Sequence, residues 1–172
     1  MKKITTLDIE ASGLSPDSYP IEVGIVLSDG SSWCSLIQPI DHWRHWSEEA
    51  ESLHHISHNE ILQRGKNISD IAGTLNHLLG EQTVYSDCCG LDDGWLQKLY
   101  REANRTPSFR LRDIVYLLKE EQFDHWESTK ERVAQELQLK RHRATNDARI
   151  LQEAFFRIST PQFNLQTPNL PK

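Results

Sequence analysis

Apolar positions along this chain change period part-way. Over 3–9 and 21–27 they alternate or cluster in short β-branched runs, which predicts two strands. "SDG" at 28–30 has hairpin chemistry, and "SSWCSLIQP" (31–39) reads as a third strand. The simplest arrangement of these three is an antiparallel meander, with the turn-rich "GLSPDSYP" (13–20) as a loop. From Ser47 onward the spacing becomes helical. Helices are predicted over 47–56, 68–80, 92–104, 126–137 and 146–158. Ser47 followed by glutamates suits a helix start, and Gly80 suits a helix end. A short strand is expected at 83–86, and 108–118 passes from strand into helix. Strands first, then alternating helices and short strands, predict a layered α/β domain. One domain is expected over 1–160. The Pro- and Asn-rich residues 161–172 are expected to form a mobile or surface-draped tail.

Composition narrows the function classes. With 172 residues, 37% apolar and 26% charged, the chain suits one soluble globular domain with a real core. No apolar run approaches the roughly 18 residues needed to cross a membrane. The start "MKKITTLDIE" reaches Asp8 before a hydrophobic region develops, which speaks against a signal peptide. Cys34, Cys88 and Cys89 form neither a disulfide nor a zinc pattern, so a reducing, cytoplasmic setting is expected. The net charge of −6 argues against a broad basic grip on nucleic acid. It does not argue against an enzyme that binds one strand end through metal ions.

The first predicted strand poses a chemical question. Asp8 and Glu10 point to the same face, and two carboxylates there repel unless a cation or water offsets them. Further acids stand at Asp92, opening a predicted helix, and at Asp147, at the start of the last one. On a continuous helix His142 and Asp147 would lie about 140° apart. If Thr145 or Asn146 caps the helix instead, His142 falls on the preceding loop and both side chains can converge.

Three ordered segments carry a resemblance. "DIEASGL" (8–14), "GLDDGWL" (90–96) and "HRATNDA" (142–148) resemble the signatures of the DEDD superfamily of 3′–5′ exonucleases, in its His-containing branch. Each segment is weak evidence alone; the ordered set is strong. The resemblance implies an α/β, ribonuclease H-like fold: a mixed five-stranded sheet flanked by helices. It also implies two divalent cations, Mg²⁺ or Mn²⁺, with Asp8, Glu10, Asp92 and Asp147 as ligands. His142 would be the general base, with Glu10 beside it in the catalytic set. Ala11, Ser12, Gly13 and Leu14 would seat the 3′ end of single-stranded DNA or RNA. Trp95 would sit in the core. Two cations about 3.5–4 Å apart suit phosphodiester hydrolysis, and hard oxygen ligands suit Mg²⁺ or Mn²⁺. The expected reaction releases nucleoside 5′-monophosphates from a single-stranded or frayed end.

Several alternatives stay open at this level. Asp87 and Asp93 compete with Asp92 for the second-motif role; Asp92 places Trp95 and Leu96 at the expected apolar positions. Leu14 serves plain packing or base contact equally well. "KRHR" (140–143) is either a phosphate-contacting patch or a solvated loop. His42, His45, His54, His55 and His58 offer a rival zinc site, in which His54 and His58 would share a helical face. A non-catalytic nucleic-acid-binding or polymerase-associated module is the other rival. A homodimer or a polymerase partner is compatible with the family, and no membrane partner is expected. DNA or RNA preference rests on contacts around the 2′-hydroxyl that the sequence does not display.

Overall fold

The computed structural model describes residues 3–160; the tail expected at 161–172 lies outside them. Five strands form one mixed sheet in the order β3-β2-β1-β4-β5. These are β1 (Thr6–Ala11), β2 (Pro20–Val26), β3 (Ser32–Leu36), β4 (Thr83–Ser86) and β5 (Arg110–Asp113). The first three pair antiparallel, as the hairpin reading predicts; β4 joins β1 and β5 joins β4 in parallel. Among the described residues six helices accompany them: α1 (Glu48–His54), α2 (His58–Arg64), α3 (Ile68–Leu79), α4 (Cys89–Glu102), α5 (Glu120–Glu136) and α6 (Ala144–Ile158). A 3-10 turn, Ile114–Leu117, follows β5 directly.

The pleat of β1 decides which side of the sheet does what. Leu7, Ile9 and Ala11 are buried; Leu7 and Ile9 join a core with Ile21, Val23 and Ile25 of β2 and the apolar stripes of α3 and α4. Thr6, Asp8 and Glu10 point the other way, and the Thr6 hydroxyl donates to the Ala148 carbonyl of α6 at 2.7 Å. On that face α5 and α6 pack together through Trp126, Val133, Ile150, Leu151 and Phe155, a second core that also takes in Ile114. Every residue of β2 is buried because helices cover both of its faces.

Local chemistry sets most helix ends. The Ser47 hydroxyl accepts from the Ala50 amide at the start of α1, and Gly80 ends α3 at φ 54°. The helix α2 has no counterpart in the predicted elements. It buries only Ile61, so it offers little periodicity to read. Its signal is instead the capping pattern Ser57-x-x-Glu60, with Ser57 accepting from the Glu60 amide at 3.1 Å. His55, at φ 56°, breaks the chain between α1 and α2. His54 and His58 therefore lie on different helices, not on one shared face.

Candidate active site

Two features of β2 bring the last helix down onto β1. Gly24 stands opposite Asp8 in the antiparallel register. A β-carbon on Gly24 would lie 2.3 Å from the Thr145 amide nitrogen and 2.4 Å from the Ala144 carbonyl carbon. Only glycine lets the first turn of α6 approach the sheet so closely. Glu22, opposite Glu10 and almost fully buried, then anchors that turn. Its carboxylate accepts from the Ala144 amide at 2.9 Å and takes both the Nη2 (2.6 Å) and Nε (3.2 Å) of Arg143. Neither Glu22 nor Gly24 figured in the sequence reading. The available signal was a glutamate and a glycine on one face of an apolar strand, in "IEVGIVL".

With α6 so placed, its acid meets those of β1. Carboxylate oxygens of Asp8, Glu10 and Asp147 all lie within 4.8 Å of one another. Among the described residues this is the one cluster of three or more metal-ligating side chains. The Arg143 amide donates to Asp147 Oδ2 at 3.1 Å, and Arg141 Nε sits 2.6 Å from Asp147 Oδ1. The "KRHR" arginines are thus committed to Asp147 and Glu22. The helix begins at Ala144 with Arg143 as its cap residue, so His142 lies on the preceding loop, at φ 59°. His142 and Asp147 line one cavity of about 330 Å³ with Asp8, Glu10 and Asp92.

The structure also separates the three competing acids of the second segment. Asp92, in the first turn of α4, is 1% exposed, and its Oδ2 has no hydrogen-bond partner. Asp87 also lines the cavity, but its carboxylate is 2.6 Å from Lys130 Nζ of α5, an ammonium that reaches Glu127 at 2.9 Å as well. Asp93 does not line the cavity; its Oδ1 faces Gln97 across 3.5 Å.

Gathering these acids has an electrostatic cost. Burial, then the charges of Asp92, Glu10 and Asp147, hold the Asp8 carboxyl well above its ordinary range. Burial and Asp147 push Glu10 up to about 8, against the pull of Arg143. Burial raises Asp92 to about 7, although the Ser86 hydroxyl and Ile9 amide draw it back. Asp147 is raised by burial too, with Arg141 opposing. Without a cation, Glu10 and Asp92 hold protons near neutral pH, and a dication would take their place. Clustered hard oxygens and an orphan carboxylate oxygen on Asp92 fit a hard divalent cation.

The residues expected to seat a 3′ end divide. Ala11, Ser12 and Gly13 are buried, and Ser12 is spent on folding. Its amide donates to the Tyr19 carbonyl, its hydroxyl accepts from the Tyr19 amide, and its carbonyl accepts from the Ser47 amide. Leu14 is 78% exposed and lines the cavity. Trp95 is half-buried rather than fully core: its ring packs on the core and lines the cavity, while its indole N–H donates to Ser18 Oγ at 3.1 Å. The histidines scatter. His42 pairs with Glu102 at 3.3 Å, His45 faces Ser12 Oγ, His54 is buried, and His58 meets Trp46 edge-on.

No protein-family model and no curated protein matches the sequence. Solved structures do match the fold. Escherichia coli exonuclease I in complex with a dA16 oligonucleotide is similar with a TM-score of 0.71 and 13% identity, over 95% of this chain and 42% of that one. The same enzyme with a 5cy-dT13 oligonucleotide gives 0.69 and 14%, over 95% and 43%. A zinc-bound form of its single-stranded DNA complex gives 0.63 and 14%, over 95% and 42%. The chain thus spans less than half the length of that enzyme. Its mixed five-stranded α/β sheet with flanking helices is the ribonuclease H-like fold of exonuclease I, as the DEDD-type resemblance implies.

Proposed function

We propose that the protein is a metal-dependent 3′–5′ exonuclease that removes nucleoside 5′-monophosphates from single-stranded or frayed ends. The observation that carries this reading is the convergence of Asp8, Glu10 and Asp147 within 4.8 Å, in a cavity shared with Asp92 and His142. Asp8, Glu10, Asp92 and Asp147 would hold two divalent cations, which when bound supply an activated water and stabilisation of the leaving oxygen. The imidazole of His142 is suited to accept the proton of the attacking water. Leu14 and Trp95 offer an apolar wall for the terminal base. Lys130 compensates Asp87, so that carboxylate adds less repulsion toward an incoming phosphate. Structures of the fold neighbour in complex with dA16 and dT13 support single-stranded DNA as a substrate.

The test uses single-stranded DNA and RNA oligomers labelled at one end or the other, with Mg²⁺, Mn²⁺ or EDTA. Stepwise shortening from the 3′ end, abolished by EDTA and by Asp8→Asn, is the expected result. A folded protein that shortens neither oligomer with either metal overturns the reading in favour of a binding module.

A further inference from the structure

Beside the acidic cavity lies a second concavity of about 570 Å³, lined by Gly90, Arg110, Leu111, Arg112, Asp113 and Tyr116. The first turn of α4 separates the two: Cys88 and Leu91 face the acidic cavity, and Gly90 between them faces the second. The ends of β4 and β5 run side by side, with Ser86 opposite Asp113. One strand therefore leads Asp87 to the acids while its neighbour leads Tyr116 to the second surface.

Arg110 and Arg112 are exposed, and neither guanidinium makes a hydrogen bond or ion pair among the described residues. Tyr116 is 81% exposed although its backbone is held firmly. Ile114 and Leu118 on either side are buried, and Asp113 Oδ1 accepts from the Val115 amide at 2.8 Å. In a chain of net charge −6, two uncommitted cations beside an open, pre-placed aromatic ring form the footprint of single-stranded nucleic acid. Charge on an edge strand also guards against strand-to-strand aggregation, which would account for the arginines but not for the tyrosine.

We propose that this surface carries the part of the single strand just upstream of the 3′ end, with Tyr116 stacking on a base and Arg110 and Arg112 meeting phosphates. The proposal rests on the exonuclease reading and extends it from the terminal nucleotide to the strand behind it.

Fluorescence anisotropy with labelled oligothymidylates, Ca²⁺ replacing the metal that supports turnover, provides the test. Tyr116→Ala is expected to weaken binding of an oligomer of about twelve residues by about ten-fold, whereas Tyr116→Phe retains it. The double variant Arg110→Ala/Arg112→Ala is expected to flatten the salt dependence by about 0.7 per lost phosphate contact. Binding of a dinucleotide, too short to reach this surface, stays within about two-fold in each case. Unchanged twelve-residue binding in both variants overturns the proposal, as does an arginine variant that only aggregates more. Wild-type protein that binds through these residues yet shortens no oligomer upholds the surface and sinks the exonuclease reading. Shortening whose KM for long oligomers ignores both variants does the reverse.

Discussion

His142 occupies a left-handed backbone conformation, φ 59°, that residues with a β-carbon rarely adopt. That turn puts the imidazole at the cavity from the loop, where a helical position would aim it elsewhere. Replacing it by alanine is expected to lower kcat by about 10²–10⁴-fold while the rise in Tm on adding Mn²⁺ persists. Loss of that rise would make His142 a ligand and not the base. The acids yield a second prediction. Glu10 and Asp92 are raised to about 8 and 7 from ordinary values near 4.5 and 3.8, so the metal-free folded state binds more protons than the unfolded chain. Metal-free stability is therefore greatest below about pH 4 as far as these groups are concerned, and falls as pH rises through 7 and 8. Thermal melts in EDTA across that range check the sign, and Asp8→Asn is expected to raise the metal-free Tm at pH 8. The candidate acids were legible because the ordered segments that carry the resemblance point to particular residues, with Asp87 and Asp93 left as rivals to Asp92. That Asp87 is taken by Lys130, while Asp92 Oδ2 is left without a partner, depends on tertiary packing, including α5 folding over the sheet, which no local spacing records.

At the level of elements, the contact between β2 and α6 governs the site. Gly24→Ala forces a β-carbon onto backbone at 2.3 Å, so α6 must move off β1. The expected outcome is loss of the proposed nuclease activity and a lower Tm, whereas Gly90→Ala, with open space around its added carbon, does not lower the Tm. Arg143→Ala leaves the buried Glu22 carboxylate with the Ala144 amide alone, at about 1–3 kcal/mol in urea unfolding. The half-exposed guanidinium puts that cost toward the lower end. The first three strands and their meander were readable from short β-branched runs and hairpin residues, whereas the places of β4 and β5 in the sheet were not. Helix starts were less so: α4 and α5 begin at Cys89 and Glu120, ahead of the predicted 92 and 126, because Gly90 weakens the helical signal at the start of α4 and the first turn of α5 is mostly charged.

For the molecule as a whole, the proposed metal would link stability to function. A divalent cation that binds only the folded protein is expected to stabilise it by about 2.7 kcal/mol at a hundred times its Kd. By the same proton linkage, the gain is larger at pH 8 than at pH 6. Titrating Mg²⁺ or Mn²⁺ against the melting curve at both pH values measures this, and an equal or smaller shift at pH 8 would contradict metal binding at the raised carboxylates. No described helix is long and apolar enough to cross a membrane.

Local pattern alone was enough to place the first strands and to nominate the candidate residues. Asp8 and Glu10 share a face by strand alternation, the meander follows from hairpin residues, and three motifs in order name the acids and the histidine. These are short-range properties, set by side-chain period and turn chemistry. Convergence came from the folded chain: Glu22 and Gly24 seat α6 on β1, Lys130 compensates Asp87, and Arg112 and Tyr116 line a concavity next to that of the acids. Each depends on pairing between segments far apart in the chain, where packing and charge compensation act between residues that no local pattern relates.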